Sequence, residues 1–260
     1  MKLDIATELV YSFSEMTQVI ACIEASQSTD QKILSENLTI TPPVDLIADV
    51  TLEGDRRFRA SVTGEVQITY SAIVDNLTRP LLPPTGRQML WSELPEYTLP
   101  FLLPSRFCPS DKFQRFAQRE FGAAADGVAK VTSALDWITR HVDYVPGVSN
   151  AETTAERTFV DRAGVCRDFT HLGITFCRAL SIPARAVSAY ALDLVPPDFH
   201  AIYEVYLEGA WWLVDPTRLA APEGIVRIGS GRDAADIAFL TTEKPCQLVR
   251  QSVQVSKSQG

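Results

Sequence analysis

Histidine is scarce in this 260-residue chain, with three in all, and cysteine is little commoner, with five. The cysteines stand at 22, 108, 166, 177 and 246, an odd number with neither the spacing of a disulfide framework nor a Cys-x-x-Cys metal motif. They read as free thiols. With so few ligand types, and no loop gathering carboxylates as calcium demands, no metal or other cofactor is expected. Long apolar runs are missing too: none approaches membrane-spanning length, and Met1-Lys2-Leu3-Asp4-Ile5-Ala6-Thr7-Glu8 lacks the apolar centre of a secretion signal. A cytoplasmic protein without membrane contact is the expectation. Basic charge is outweighed, 24 Lys and Arg against 32 Asp and Glu, and a net charge of -8 leaves no basic stripe for nucleic acid. No internal repeat is present.

What the chain does have is a soluble globular composition, 46% hydrophobic, and one strongly amphipathic stretch. In Gly164-Val165-Cys166-Arg167-Asp168-Phe169-Thr170-His171-Leu172 and beyond, apolar residues recur at Phe169, Leu172, Phe176 and Leu180. That spacing is one buried helix face, and it puts Cys166 in the first turn. A thiol at a helix start faces unpaired backbone N–H groups and the positive end of the macrodipole, both of which favour the nucleophilic thiolate. Cys166 is therefore a candidate nucleophile.

A base and its orienting anion are read from a hairpin. His200-Ala201-Ile202-Tyr203-Glu204-Val205-Tyr206-Leu207 and Trp211-Trp212-Leu213-Val214-Asp215 are β-branched and aromatic runs around Glu208-Gly209-Ala210. If Glu208-Gly209 is a two-residue loop, Leu207 pairs with Ala210 and Asp215 falls opposite Ile202, which makes Asp215 the diagonal neighbour of His200 on one face. A three-residue loop would send Asp215 to the other face. Cys166, His200 and Asp215 would then supply nucleophile, base and orienting anion. Within the helix, His171 is rotated about 140° from Cys166 and cannot be the base, while Cys177 lies about 16 Å along the axis and reads as core. Arg167 and Asp168 are expected to fix the helix start.

These residues resemble the transglutaminase-like superfamily of cysteine enzymes. The matching segments are Gly164 to Gly173 with Arg178 to Arg185, His200 to Tyr206, Asp215-Pro216-Thr217, and Gly231 to Asp236; Ile202 stands where an aromatic residue is frequent. The resemblance implies an α+β fold: an N-terminal antiparallel β-sandwich, then a papain-like, transglutaminase-like catalytic domain with its central helix packed on an antiparallel sheet. It implies acyl transfer through a thioester, with a peptide or amide as the expected partner and no nucleic acid or membrane. Bacterial proteins of this kind are described as candidate cysteine proteases, so hydrolysis is the leading expectation. Transglutamination and a non-catalytic binding module are the alternatives. Tyr144 is a candidate for contacting the reacting group, since an aromatic donor near the nucleophile assists the oxyanion in similar enzymes.

Around that centre, residues 1–95 read as the β-rich domain and 96–260 as the catalytic domain. Val66, Ile68, Tyr70, Ala72 and Val74 alternate as in a half-buried strand, as do Phe58, Ala60 and Val62, with Thr63-Gly64 as the break between them. Pro80, Pro83, Pro84, Pro95, Pro100, Pro104 and Pro109 make residues 79–109 a linker, held to the catalytic domain by Trp91, Tyr97 and Phe101. Ser110 is expected to cap a first helix ending near Gly122, and Val128, Val131, Leu135, Ile138 and Val142 mark a second. Thr153 or Thr154 would cap a third, ending at Gly164, after a turn at Asp143 to Gly147. His141 reads as a surface residue. One of Trp211 and Trp212 would shield the triad and the other pack into the sheet, with both as core residues the plainer reading. Residues 247–255 alternate as a last strand. The oligomeric state is not legible.

Overall fold

Alternating apolar residues at one end of the chain extend over two unusually long strands. In the computed structural model, which describes residues 1–77, 79 and 81–258, the elements in chain order are β1 (Lys2–Ala21), β2 (Gln31–Thr41), β3 (Ile47–Val50) and β4 (Arg56–Asn76). There follow α1 (Gln114–Phe121), α2 (Gly127–His141), β5 (Asp143–Tyr144), α3 (Ala155–Asp161), β6 (Ala163–Gly164) and α4 (Cys166–Ala179). The last strands are β7 (Ala184–Ala191), β8 (Phe199–Leu207), β9 (Ala210–Val214), β10 (Ile225–Gly231), β11 (Leu240–Thr242) and β12 (Gln247–Lys257). Among the described residues no helix is long and apolar enough to cross a membrane.

The α+β class holds, with antiparallel main sheets. The N-terminal strands, however, make one six-stranded sheet where a two-sheet sandwich was expected. β1 and β4 pair along their length, with Leu3 opposite Val74, Leu9 opposite Ile68 and Val19 opposite Ala60. The break read at Thr63-Gly64 is absorbed as a register irregularity between Phe13 and Thr17, so one strand runs through it. The buried face of this sheet packs against Tyr190, Leu192, Phe199, Val226 and Ile228, so the sheet of β7, β8, β9 and β10 supplies the second layer.

The expected division into 1–95 and 96–260 meets a different pairing at the C-terminus: β11 and β12 both pair with β1, which returns residues 240–257 to the N-terminal sheet. Pairing at such sequence separation leaves no local signal. The two parts are joined by buried hydrogen bonds, from Tyr190 Oη to the Ile23 carbonyl at 2.6 Å and from Asn76 Nδ2 to the Ile225 carbonyl at 2.7 Å.

This second sheet has the order β10-β7-β8-β9, and α4 lies on it. Gly173 allows this approach, since a Cβ there would sit 2.6 Å from the Tyr203 ring. On its other side α4 presents Phe176, fully buried among Phe113, Phe116, Phe121 and Trp137 with ring centroids 5.3 to 5.9 Å away. Burial of such a side chain contributes about 1.5–3 kcal/mol, and here it fixes the helix that carries Cys166.

The smaller helices depart from their signals in two places: Ser110 makes no side-chain cap, and the third helix ends early. Ser110 opens a 3-10 turn that leads into α1, Asp126 caps α2 by accepting from the Ala129 N–H at 2.8 Å, and Thr154 caps α3. α3 stops at Asp161, not Gly164, because Arg162 turns into the left-handed region at φ 58° and frees Ala163-Gly164 to pair with Asp143-Tyr144. The turn expected at Asp143 is thus the start of a short parallel bridge. The proline-dense linker packs as expected through Phe101 on Trp211 and Tyr97 on Tyr206, whereas Trp91 is exposed; Pro80 lies outside the described residues.

Candidate active site

Cys166 is the first residue of α4, and the turn before it is tightly built. Asp168 Oδ2 accepts from the Val165 N–H at 2.9 Å, and Arg167 bridges from Asp168 to the Asn150 carbonyl. A Cβ at Gly164 would lie 2.7 Å from the Asp168 Cβ, so the residue preceding Val165 has to be glycine for the buried carboxylate to reach back. The helix start thus relies on Arg167 and Asp168, and Cys166 is left half-buried as a thiol outside any disulfide.

The hairpin turns on Glu208 and Gly209, at φ 54° and 80°, and pairs Leu207 with Ala210. Positive φ at both central residues gives the twist that suits a two-residue hairpin. That register continues to Tyr203 opposite Val214 and brings His200 Nε2 to 3.0 Å from Asp215 Oδ2. The Asp215 carboxylate also accepts from the Thr217 N–H at 2.8 Å, the Thr217 hydroxyl at 2.6 Å and the Ala220 N–H at 2.9 Å. Burial would raise its pKa, but the His200 hydrogen bond and charge and the Thr217 contacts win and hold it below the usual carboxylate range. An ionised Asp215 accepts from Nε2–H. Among the described residues the buried Nδ1 has no hydrogen-bond partner, and the Cys166 thiol is close enough to act on this ring.

Burial pulls the His200 pKa down; the Asp215 hydrogen bond, the Cys166 thiol and both charges outweigh it and lift the imidazole to about 9. The ring is therefore built to hold a proton beside the sulfur. Tyr144, brought in by the β5–β6 bridge, sets its hydroxyl against the Cys166 N–H and thiol. Burial, and then the Cys166 charge, raise its pKa to about 12, so it stays a neutral phenol. The structure thus gathers Cys166, His200, Asp215 and Tyr144 at one place.

The other histidines lie elsewhere. His171 Nε2 accepts from the Ala234 N–H at 3.1 Å, its ring stacks on Phe107 at 5.1 Å, and burial lowers its pKa to about 4. His141 stacks on Trp137 at the end of α2. Neither indole shields the triad: Trp211 and Trp212 pair with Tyr206 and Val205 at the turn end of the hairpin, roughly 16 Å or more along β8 from His200. Trp211 packs on Phe101, and Trp212 donates to the Leu207 carbonyl.

Two residues beside the site were given no role from the sequence, Thr217 and Asp198. Thr217, two residues after Asp215, carries the signature of a side-chain-closed turn and could have been found from it. Asp198 accepts from Phe199 N–H at 2.7 Å and from Gln251 Nε2 at 2.5 Å, and Gln251 arrives from the distant β12, which no local pattern announces. Among the described residues no three His, Cys, Asp or Glu side chains are grouped as a metal ion would require.

Comparison with known proteins places this geometry among relatives. Residues 114–216 match the transglutaminase-like superfamily core and residues 1–80 match the N-terminal domain of bacterial transglutaminases. The crystal structure of a candidate cysteine protease from Cytophaga hutchinsonii is similar throughout, with 38% identity, a TM-score of 0.93, and coverage of 98% of this chain and 90% of that one. An uncharacterized protein of Mycobacterium leprae is 26% identical over 190 residues, 68% of this chain and 67% of its own length.

Proposed function

Because the chain belongs to the transglutaminase-like superfamily, we propose that it is a cysteine enzyme that hydrolyses an amide or peptide bond through a thioester on Cys166. The observation that carries this reading is the 3.0 Å contact between Asp215 and His200 Nε2, which leaves Nδ1 for the Cys166 thiol.

In this reading His200 takes the thiol proton at Nδ1 and the sulfur attacks the carbonyl carbon of the substrate. The oxyanion that forms takes the place of the Tyr144 oxygen as acceptor of the Cys166 N–H, and the Tyr144 hydroxyl donates to it as well. His200 returns its proton to the departing amine, and the C–N bond breaks to leave the thioester. Water, deprotonated by His200, then attacks the thioester carbon, releasing the carboxylic acid and the free thiol. Asp215 orients the ring throughout and stabilises its charged form.

A panel of fluorogenic amides and peptides, run with and without a primary amine, tests this reading. Cys166-dependent release of amine with water as acceptor is the expected result, together with an acyl adduct trapped on Cys166. Product joined to the added amine would make the enzyme a transglutaminase. Turnover unchanged in Cys166→Ala would overturn both.

A further inference from the structure

Away from the triad, three arginines converge where the N-terminal sheet meets β7, β8 and β10. Arg185 donates Nε to Glu204 Oε2 at 2.7 Å, and Arg227 pairs with Glu204 and with Asp30 Oδ2, the latter at 3.1 Å. Arg79 donates Nε to Asp30 at 2.8 Å and Nη1 to the carbonyls of Pro222 and Ile225 at 3.0 and 2.7 Å. The three side chains are 10, 15 and 2% exposed.

This network holds three guanidinium groups against two carboxylates. Of the other acids nearby, Glu53 is exposed at the rim, and Asp55, which accepts from the Ser230 N–H at 2.8 Å, acts on Arg185 through its charge without touching the guanidinium groups of the network. Buried positive charge without a counter-charge is costly. Two buried donors, Arg79 Nη2 and Arg227 Nε, also have no hydrogen-bond partner among the described residues. All three arginines line one cavity of about 550 Å³, bounded by Gln27 to Asp30, Tyr97 and Trp211.

We infer that this cavity binds a small oxyanion, a carboxylate or phosphate group that completes the Arg79, Arg185 and Arg227 network. Arg185 is suited to present a rigid fork: its Nε is fixed by Glu204, and its guanidinium carbon lies 4.3 Å from the Trp211 ring centroid. The ligand would fasten one part of the molecule to the other, because Asp30 and Arg79 come from the N-terminal part while Arg185, Glu204 and Arg227 come from the catalytic sheet.

Thermal unfolding and calorimetric titration of the full chain with sodium phosphate, and separately with sodium succinate, test the site at an ionic strength held constant with chloride. A saturable rise in Tm of about 2–4 °C with at least one of them is expected, and the tighter anion identifies the group the site prefers. Thr29 is exposed and lines the cavity. Thr29→Glu adds a like charge there without removing any arginine contact, so it should keep the Tm measured in chloride and weaken anion binding about tenfold or more. Arg185→Gln removes the buried Glu204 contact, so it should lower the Tm in chloride as well as weaken anion binding if it folds, and Thr29→Glu decides the question if it does not. A rise that never saturates, no rise with either anion, or equal binding by Thr29→Glu would overturn the proposal.

Discussion

His200 and Asp215, fifteen residues apart in sequence, meet at 3.0 Å because a two-residue turn at Glu208-Gly209 sets the register of their hairpin. Asp215→Asn keeps one acceptor oxygen, which serves the two Thr217 donors, but turns an NH2 group toward the Ala220 N–H and removes the negative charge beside the ring. It should fold with a lowered Tm, since the His200–Asp215 attraction is lost, and lose about 10²–10⁴-fold in kcat. Steady-state kinetics on the best amide substrate, with thermal melts alongside, check this.

Two buried histidines set opposite limits on stability. His200 titrates at about 9 in the folded chain: burial lowers it, and Asp215 with Cys166 more than reverses this. An unfolded histidine titrates near 6.5. The stabilisation from His200 is therefore complete below about pH 6.5 and is lost as the pH rises through about 9. His171, lowered by burial to about 4, behaves in reverse, contributing above about pH 6.5 and losing that contribution as the pH falls through about 4. Tm measured against pH should show the gap to His200→Gln narrowing on the alkaline side and the gap to His171→Gln narrowing on the acid side.

Gly173→Ala places a methyl 2.6 Å from the Tyr203 ring, where helix and sheet leave no room. Overpacking of this kind costs about 1–3 kcal/mol. Denaturant unfolding should report that loss, and kcat should fall with it because α4 carries Cys166.

Tyr144→Phe removes a half-exposed hydroxyl and keeps the ring against Phe169, 5.7 Å away. If that hydroxyl assists the oxyanion, kcat should drop about 10–10³-fold with KM and Tm little changed. An unchanged kcat would remove Tyr144 from the mechanism.

The parts of this molecule that follow a short period were legible from its sequence. The apolar stripe from Phe169 to Leu180 set α4, and Glu208-Gly209 set the turn on which the His200–Asp215 contact depends. Pairing over long separations was not legible. Nothing near Gln247 announces that β12 lies beside β1, and alternation in Phe58 to Val74 cannot distinguish two short strands from one that crosses a bulge. The Arg79, Arg185 and Arg227 network was hidden for the same reason, since its members meet only after both parts of the chain have packed. Trp211 and Trp212 were misplaced because their nearness to Asp215 in sequence suggested nearness to His200, while the hairpin runs them the opposite way.

Competition among the five thiols tests the central claim most directly. Burial raises Cys22 to about 11 and Cys108 and Cys177 to about 12, so these should be inert to limiting iodoacetamide at pH 6. Half-buried Cys246 serves as the reference. Peptide mapping should find Cys166 alkylated about tenfold or more ahead of Cys246, with the advantage lost in His200→Ala. Labelling of Cys166 no faster than Cys246, or at the same rate without the imidazole, would contradict the account.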